Sequence, residues 1–311
     1  MDILIYGKTI FTQTVIMALL MLIGYVLAKM GKLSRPTIAQ LTDLVFWVVT
    51  PCVIIHSFLD VQFDASYIIK MLEAVGLALF SHLAGYAAGF VFYKVRPNSR
   101  RTVYRFGSMI SNAGFMALPL AQAVFSGDGV LLVSIYVIMV NIFNWTLGRA
   151  MFKSEEKVPV RKMVFNPGVI GVILGVLAAL LKQVYLPLMV SDTVSYLSAL
   201  NTPLAMLVTG FYLVGTSVRS CVKDGFAWLT AFIRQIGLPV VLMLLYHFVF
   251  GVSGLLLQSA VLAVSAPCAV IVVMFSARFG GDEKIASQTV SLSTVTSILT
   301  MPLMLMLAQL L

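Results

Sequence analysis

Ser111-Asn112-Ala113-Gly114-Phe115-Met116-Ala117-Leu118-Pro119-Leu120 lies in the middle of an apolar stretch long enough to cross a bilayer. Proline has no N–H and its ring clashes with the preceding turn, which frees backbone carbonyls. Gly114 loosens the helix further. Unsatisfied backbone groups cost several kcal/mol in lipid, so this interruption must face protein or a wet cavity. A second one, Ser265-Ala266-Pro267-Cys268, occurs in a later apolar stretch. Each interruption starts a half-helix near the bilayer centre, where free N–H groups and the positive dipole end attract an anion. Ser111, Asn112, Gly114 and Pro119, with Ser265 and Pro267, are therefore candidate ligand residues. Asn112 adds an amide donor. The plainer alternative is two prolines that only kink two packed helices.

Outward from these segments, the chain has 311 residues, of which 60% are hydrophobic and 11% charged. Its mean hydropathy is +1.00. Soluble domains carry about 25% charged residues, so this chain cannot coat a soluble globule of its size. A disordered, fibrous or disulfide-scaffold protein is excluded by the same composition. What remains is an all-α integral membrane protein with many spans. Ten apolar segments fit: 8–29, 36–59, 66–94, 102–126, 129–151, 167–186, 192–217, 226–250, 254–277 and 284–310. With no basic leader region or cleavage site at Met1-Asp2-Ile3, the first reads as a retained span.

The net charge of +9 invites a nucleic-acid reading, but the placement of the charges argues otherwise. If the N-terminus is outside, 17 of the 21 Lys and Arg fall in inside loops. Only Lys8, Lys70 and Lys182 fall outside, and Arg234 lies within a span. Lys and Arg favour the cytoplasmic side, so both termini are expected to face out of the cell membrane. Cys52, Cys221 and Cys268 form no paired spacing and read as buried free thiols.

Segments recur at offsets of 148 to 152 residues. Gly24 and Pro36 return as Gly175 and Pro187, Thr50-Pro51 as Thr202-Pro203, and Pro119 as Pro267. Halves of five spans must be inverted relative to each other. The expected organisation is one five-helix repeat over 1–151, a cytoplasmic linker over 152–166 and an inverted repeat over 167–311. Inverted repeats with interrupted helices in matching positions mark secondary transporters.

Ionisable groups within spans cost about 2.5–3.5 kcal/mol at the bilayer centre on insertion scales, so Asp43, Glu73 and Arg234 stand out. Asp43 and Glu73 are candidates for a coupling proton or cation. Asp43 reads equally as a carboxylate near the interface, and Glu73 as an anchor paired with Lys70. Arg234 either attracts anions at a cytoplasmic mouth or has a structural partner. Asn141 and Asn144 share a helix face and either bond across helices or line a cavity. Gly85/Gly89 and Gly171/Gly175 have the spacing of close helix contacts, and the hydroxyls of span ten read as packing surface first. The three histidines have no metal-ligand spacing. No nucleophile elbow, phosphate loop or zinc motif appears, so neither an enzyme nor a cofactor is expected.

These residues together resemble the auxin efflux carrier family. The likeness rests on Gly24-Tyr25, Gly31-Lys32-Leu33-Ser34, Thr50-Pro51-Cys52, the run from Asn112 to Pro119, and Pro267. The Asn-x-Gly-Phe-Met-x-Leu-Pro run is its most specific part. The resemblance implies ten helices in two inverted repeats, with helices four and nine crossing at their prolines. It implies export of organic anions: auxin in plant members, malonate or malate in bacterial relatives. The short linker is similar to that of bacterial members. Carried over by position, Asn112 would meet the substrate carboxylate, and Pro119 and Pro267 would sit at the crossover. Asn201 is a further candidate from the second half. The expected partners are a small organic anion and the lipid bilayer, and a homodimer is one expected assembly. The competing function is a non-transporting membrane sensor on the same fold.

Overall fold

The computed structural model describes residues 3–60, 65–152, 167–182, 187–214 and 218–311. Residues 153–166 of the expected linker, the end of span six and residues 215–217 lie outside them. The described residues are almost entirely helical. Seven helices are long and apolar enough to cross a membrane, among them Gly7–Lys29, Arg35–Leu59 and Glu283–Gln309. Three shorter apolar helices, Ala113–Val124, Pro167–Leu181 and Gly254–Ser265, fall where spans four, six and nine are expected.

Local chemistry sets the helix ends. Gly31 adopts φ +71° just beyond the first helix, a left-handed position that glycine takes without a Cβ penalty. Ser34 caps the next helix by accepting from the Thr37 N–H at 3.3 Å, with Pro36 in its first turn. Asp224 and Asp282 cap two later helices, accepting from Phe226 and Ala227 and from Ile285.

Prolines inside the spans act differently from expectation. π-helical turns cover Val45–Val49, Ala113–Ala117 and Ile233–Gly237, each ending two residues before Pro51, Pro119 or Pro239. A widened turn gives the proline ring room and tolerates its missing N–H. Pro119 therefore does not break its helix. It lies buried near the start of Leu118–Val124. The true interruption is upstream, at residues 110–112, between Asn98–Met109 and Ala113–Ala117. Its counterpart follows Gly254–Ser265 and ends at Ile271–Phe279.

Helix packing uses glycines at points of closest approach. Gly24 lies against the Leu207 backbone and Gly210 against the Met21 and Tyr25 backbone, joining Ile3–Lys29 to Asn201–Tyr212. Gly171 meets Pro51 and Ile54, and Gly175 meets Phe58, joining Pro167–Lys182 to Thr50–Asp60. Gly85 and Gly89 lie against Met109 and Arg105. Without a hydrophobic force between helices in lipid, such close backbone approach supplies the packing energy. Buried side chains concentrate on Asn98–Met109, Gly127–Phe143, Gly254–Ser265 and Glu283–Gln309. Ile3–Lys29 turns Phe11, Ile16, Leu19 and Leu22 outward, a surface suited to lipid.

Candidate functional site

The two interrupted helices meet backbone to backbone. Helix formation stops at Ile110, which is extended (φ −101°, ψ 121°), and the freed groups pair across the gap. The Asn112 N–H donates to the Pro267 carbonyl at 2.7 Å, and the Ala269 N–H donates to the Ile110 carbonyl at 3.3 Å. They form an antiparallel bridge between Ser111 and Cys268. Ser293 accepts from the Cys268 N–H at 3.1 Å. Buried backbone groups are thus satisfied as an interrupted helix in a membrane requires.

Arg234 completes the crossing. It is fully buried, on the π turn before Pro239. Its Nη1 donates to the Met109 and Ser108 carbonyls at 3.1 and 3.4 Å. Its Nη2 donates to the Val264 carbonyl at 2.6 Å and its Nε to the Ala266 carbonyl at 3.3 Å. One planar fork thus ties the carboxyl ends of both first half-helices. Of the two readings open for Arg234, the structure shows the structural one. Beside it, Gln235 donates to the Ser293 carbonyl and accepts from Thr296 at 2.7 Å.

A cavity of about 370 Å³ opens beside the crossing. Gly114 and Phe115, at the start of the fourth span's second half-helix, line one part. Ala269, Val270 and Ile271, at the start of the ninth span's, line another. Asp43, Trp47, Thr50, Asn141, Asn144, Trp145 and Tyr212 contribute to the wall. Three buried polar atoms on its lining residues have no hydrogen-bond partner: Ser111 Oγ, Asn112 Nδ2 and Asn144 Oδ1. Buried polar groups are normally paired, so a cluster of orphans at one cavity is a place where a ligand or water completes the bonding. Asn141 is partly occupied, its Nδ2 donating to the Val137 carbonyl at 3.1 Å.

The cavity gathers Asp43, Ser111, Asn112, Gly114, Asn141 and Asn144 from separate parts of the chain. The remaining candidates lie elsewhere. Pro267 sits at the crossing, where its carbonyl accepts from the Asn112 N–H, but it does not line the cavity. Ser265 is fully buried and donates to the Leu262 carbonyl at 3.1 Å, as a helix-end hydroxyl does. Pro119 is packed inside its helix, away from the crossing. Asn201 is fully buried and donates to Gln122 at 2.7 Å, and Gln122 in turn donates to Ser198 at 3.2 Å. That chain fastens Leu118–Val124 to Leu188–Ala199 and Asn201–Tyr212. Glu73 lines a different cavity with Tyr67, Lys70 and Asp128. Among the described residues no ion pair joins it to Lys70.

Sequence reasoning missed the aromatic wall. Trp47 lies four residues after Asp43, on the same helix face, and Trp145 follows Asn144. Both spacings were readable. Thr50 stood out only through the recurring Thr-Pro pair, and Tyr212 carried no local signal.

These features define a class: a multi-pass helical membrane protein with a cavity, at two crossed helix interruptions, lined by three residues that carry unpaired buried polar atoms. The chain belongs to the auxin efflux carrier family. The family model described as "Membrane transport protein" matches residues 9–160 and 156–305. An uncharacterized transporter of Methanothermobacter thermautotrophicus is 24% identical over 302 residues, covering 94% of this chain and 96% of that protein. An uncharacterized transporter of Methanocaldococcus jannaschii is 23% identical over 301 residues, covering 93% and 95%. The family is one of membrane transporters rather than enzymes.

Proposed function

We propose that the protein is a secondary carrier of small organic anions, mono- or dicarboxylates such as malonate or malate, working by alternating access in efflux or exchange. The observation that carries this reading is the crossover cavity with its three orphaned polar atoms. A carboxylate there would accept from the Asn112 amide and from the free N–H groups that start Ala113–Val124. The Ser111 hydroxyl would supply a further donor. Apolar and aromatic side chains would enclose the rest of a small acid. Asp43 lines the same cavity, which supports its role as the coupling carboxylate.

The proposed architecture is ten helices in two inverted repeats, over 1–151 and 167–311, joined by a cytoplasmic linker. The paired contacts support it. The first helix of the first half packs on the second helix of the other half, and the first helix of the second half packs on the second helix of the first. Both pairs use glycines that recur at the repeat offset, Gly24 and Gly175. The crossed helices, with the elements around them, would move against this four-helix frame. The cavity-lining stretches near Asp43, Trp145 and Met274 lie between the crossing and the span ends that carry Arg35, Arg149 and Arg278. With both termini outside the cell membrane, this would make the described state open to the cytoplasm.

Counterflow in proteoliposomes tests the reading. Vesicles loaded with unlabelled malonate, malate or indole-3-acetate should accumulate the same labelled acid from outside. Failure of every mono- and dicarboxylate in the panel to drive accumulation, in protein shown to be folded, would reject it.

A further inference from the structure

We propose that Arg234 sets the sign of the crossover site: its buried charge cancels the negative ends of the two first half-helices and leaves the positive starts of the second half-helices to act on the cavity. The inference rests on the anion-carrier reading and names the residue that gives the site its charge preference.

The argument is electrostatic. A helix carries about half a positive charge at its amino end and half a negative charge at its carboxyl end. At each interruption the negative end of one half-helix faces the positive start of the next across a few residues. Left alone, the ends would largely cancel and the crossing would have little preference for anion or cation. Arg234 removes one side of that balance. Its three guanidinium nitrogens donate to Ser108, Met109, Val264 and Ala266, all carbonyls at or beside the carboxyl ends of Asn98–Met109 and Gly254–Ser265. Among the described residues its partners are all carbonyls, with no carboxylate to neutralise it. One unit charge therefore offsets two half-charges. The starts at Ala113–Val124 and Ile271–Phe279 keep their positive character, and both line the cavity. With Arg234 fully buried, its field is weakly screened.

A purely mechanical clamp would need the donors but not the charge, and two substitutions separate these. Arg234→Gln keeps two of the five N–H donors and loses the charge. Arg234→Lys keeps the charge and loses the fork. The reporters are already in place, because Trp47 and Trp145 line the cavity. The remaining one of the chain's three tryptophans, Trp228, lines another cavity and is removed in a Trp228→Phe parent. Tryptophan fluorescence of the full chain in a non-ionic detergent is quenched by iodide, caesium and neutral acrylamide in turn.

In the parent, iodide should quench better than caesium when each is normalised to free N-acetyltryptophanamide. Arg234→Gln should lower the iodide-to-caesium ratio about twofold or more with acrylamide quenching unchanged, and Arg234→Lys should keep the parent ratio. An unchanged ratio in Arg234→Gln, or an equal fall in Arg234→Lys with acrylamide quenching unchanged, would overturn the proposal. If Arg234→Gln does not fold, the parent and the lysine variant decide. Caesium quenching equal to or above iodide quenching in the parent overturns the proposal by itself. No carboxylate enters this measurement. A failed counterflow panel with the expected ratios would therefore count against the cargo and not against Arg234.

Discussion

At the scale of single residues, the site is built from polar atoms that the fold buries without satisfying. Asn112 and Asn144 are each about 5% exposed or less, yet the Nδ2 of one and the Oδ1 of the other lack partners. Leaving a buried polar group unmade costs about 1–3 kcal/mol, which stability alone does not favour. Replacing Asn144 by Leu should therefore raise the melting temperature in detergent by about 2–4 °C while lowering transport. A lower melting temperature with full transport would show that Asn144 is a packing residue. Asn201 is a partial contrast: its Oδ1 is also buried without a partner, but its Nδ2 donates to Gln122 and it lies outside the cavity, so it fastens helices. Sequence alone could not separate the two asparagines. The difference depends on partners 79 residues away.

At the scale of elements, the interruptions were legible and their exact positions were not. The run Ser111 to Leu120 announces a disrupted helix, and the structure has one there. The proline was the wrong marker for the break point. A proline's clash can be relieved either by opening the helix or by widening one turn, and a local window does not say which. Here Pro51, Pro119 and Pro239 all follow π turns, and the true break is fixed by pairing with Pro267 and Ala269. Arg234 was visible as a costly residue in a span, but its four carbonyl partners lie 30 to 126 residues away. The glycine spacing was more informative. Gly24→Ala and Gly210→Ala would each set a Cβ into the facing backbone, whereas a Cβ at Gly76 meets nothing within 4 Å. The first two should cost about 1–3 kcal/mol and lower the melting temperature by several degrees, with Gly76→Ala neutral or stabilising. Equal behaviour of all three would mean that the contact between Ile3–Lys29 and Asn201–Tyr212 is not tight in the membrane.

At the scale of the whole molecule, charge placement and the cavity tell one story. On the proposed ten-span topology the basic residues fall in loops on one side, which is the reason for the proposed orientation. The three native cysteines are buried, so an introduced thiol reports topology against a low background. A Lys157→Cys variant should react with a membrane-impermeant maleimide in inside-out vesicles and not in intact cells. The reverse pattern would invert the proposed orientation. The central claim is that the crossover cavity holds the cargo carboxylate, and the most direct measurement compares two asparagine variants in counterflow. Asn112→Ala should raise the KM for the transported acid roughly tenfold at near-normal folded yield, because its amide has no structural partner to lose. Asn201→Ala should lower folded yield and leave KM unchanged. An unchanged KM in Asn112→Ala would contradict the account and move the substrate site away from the crossing.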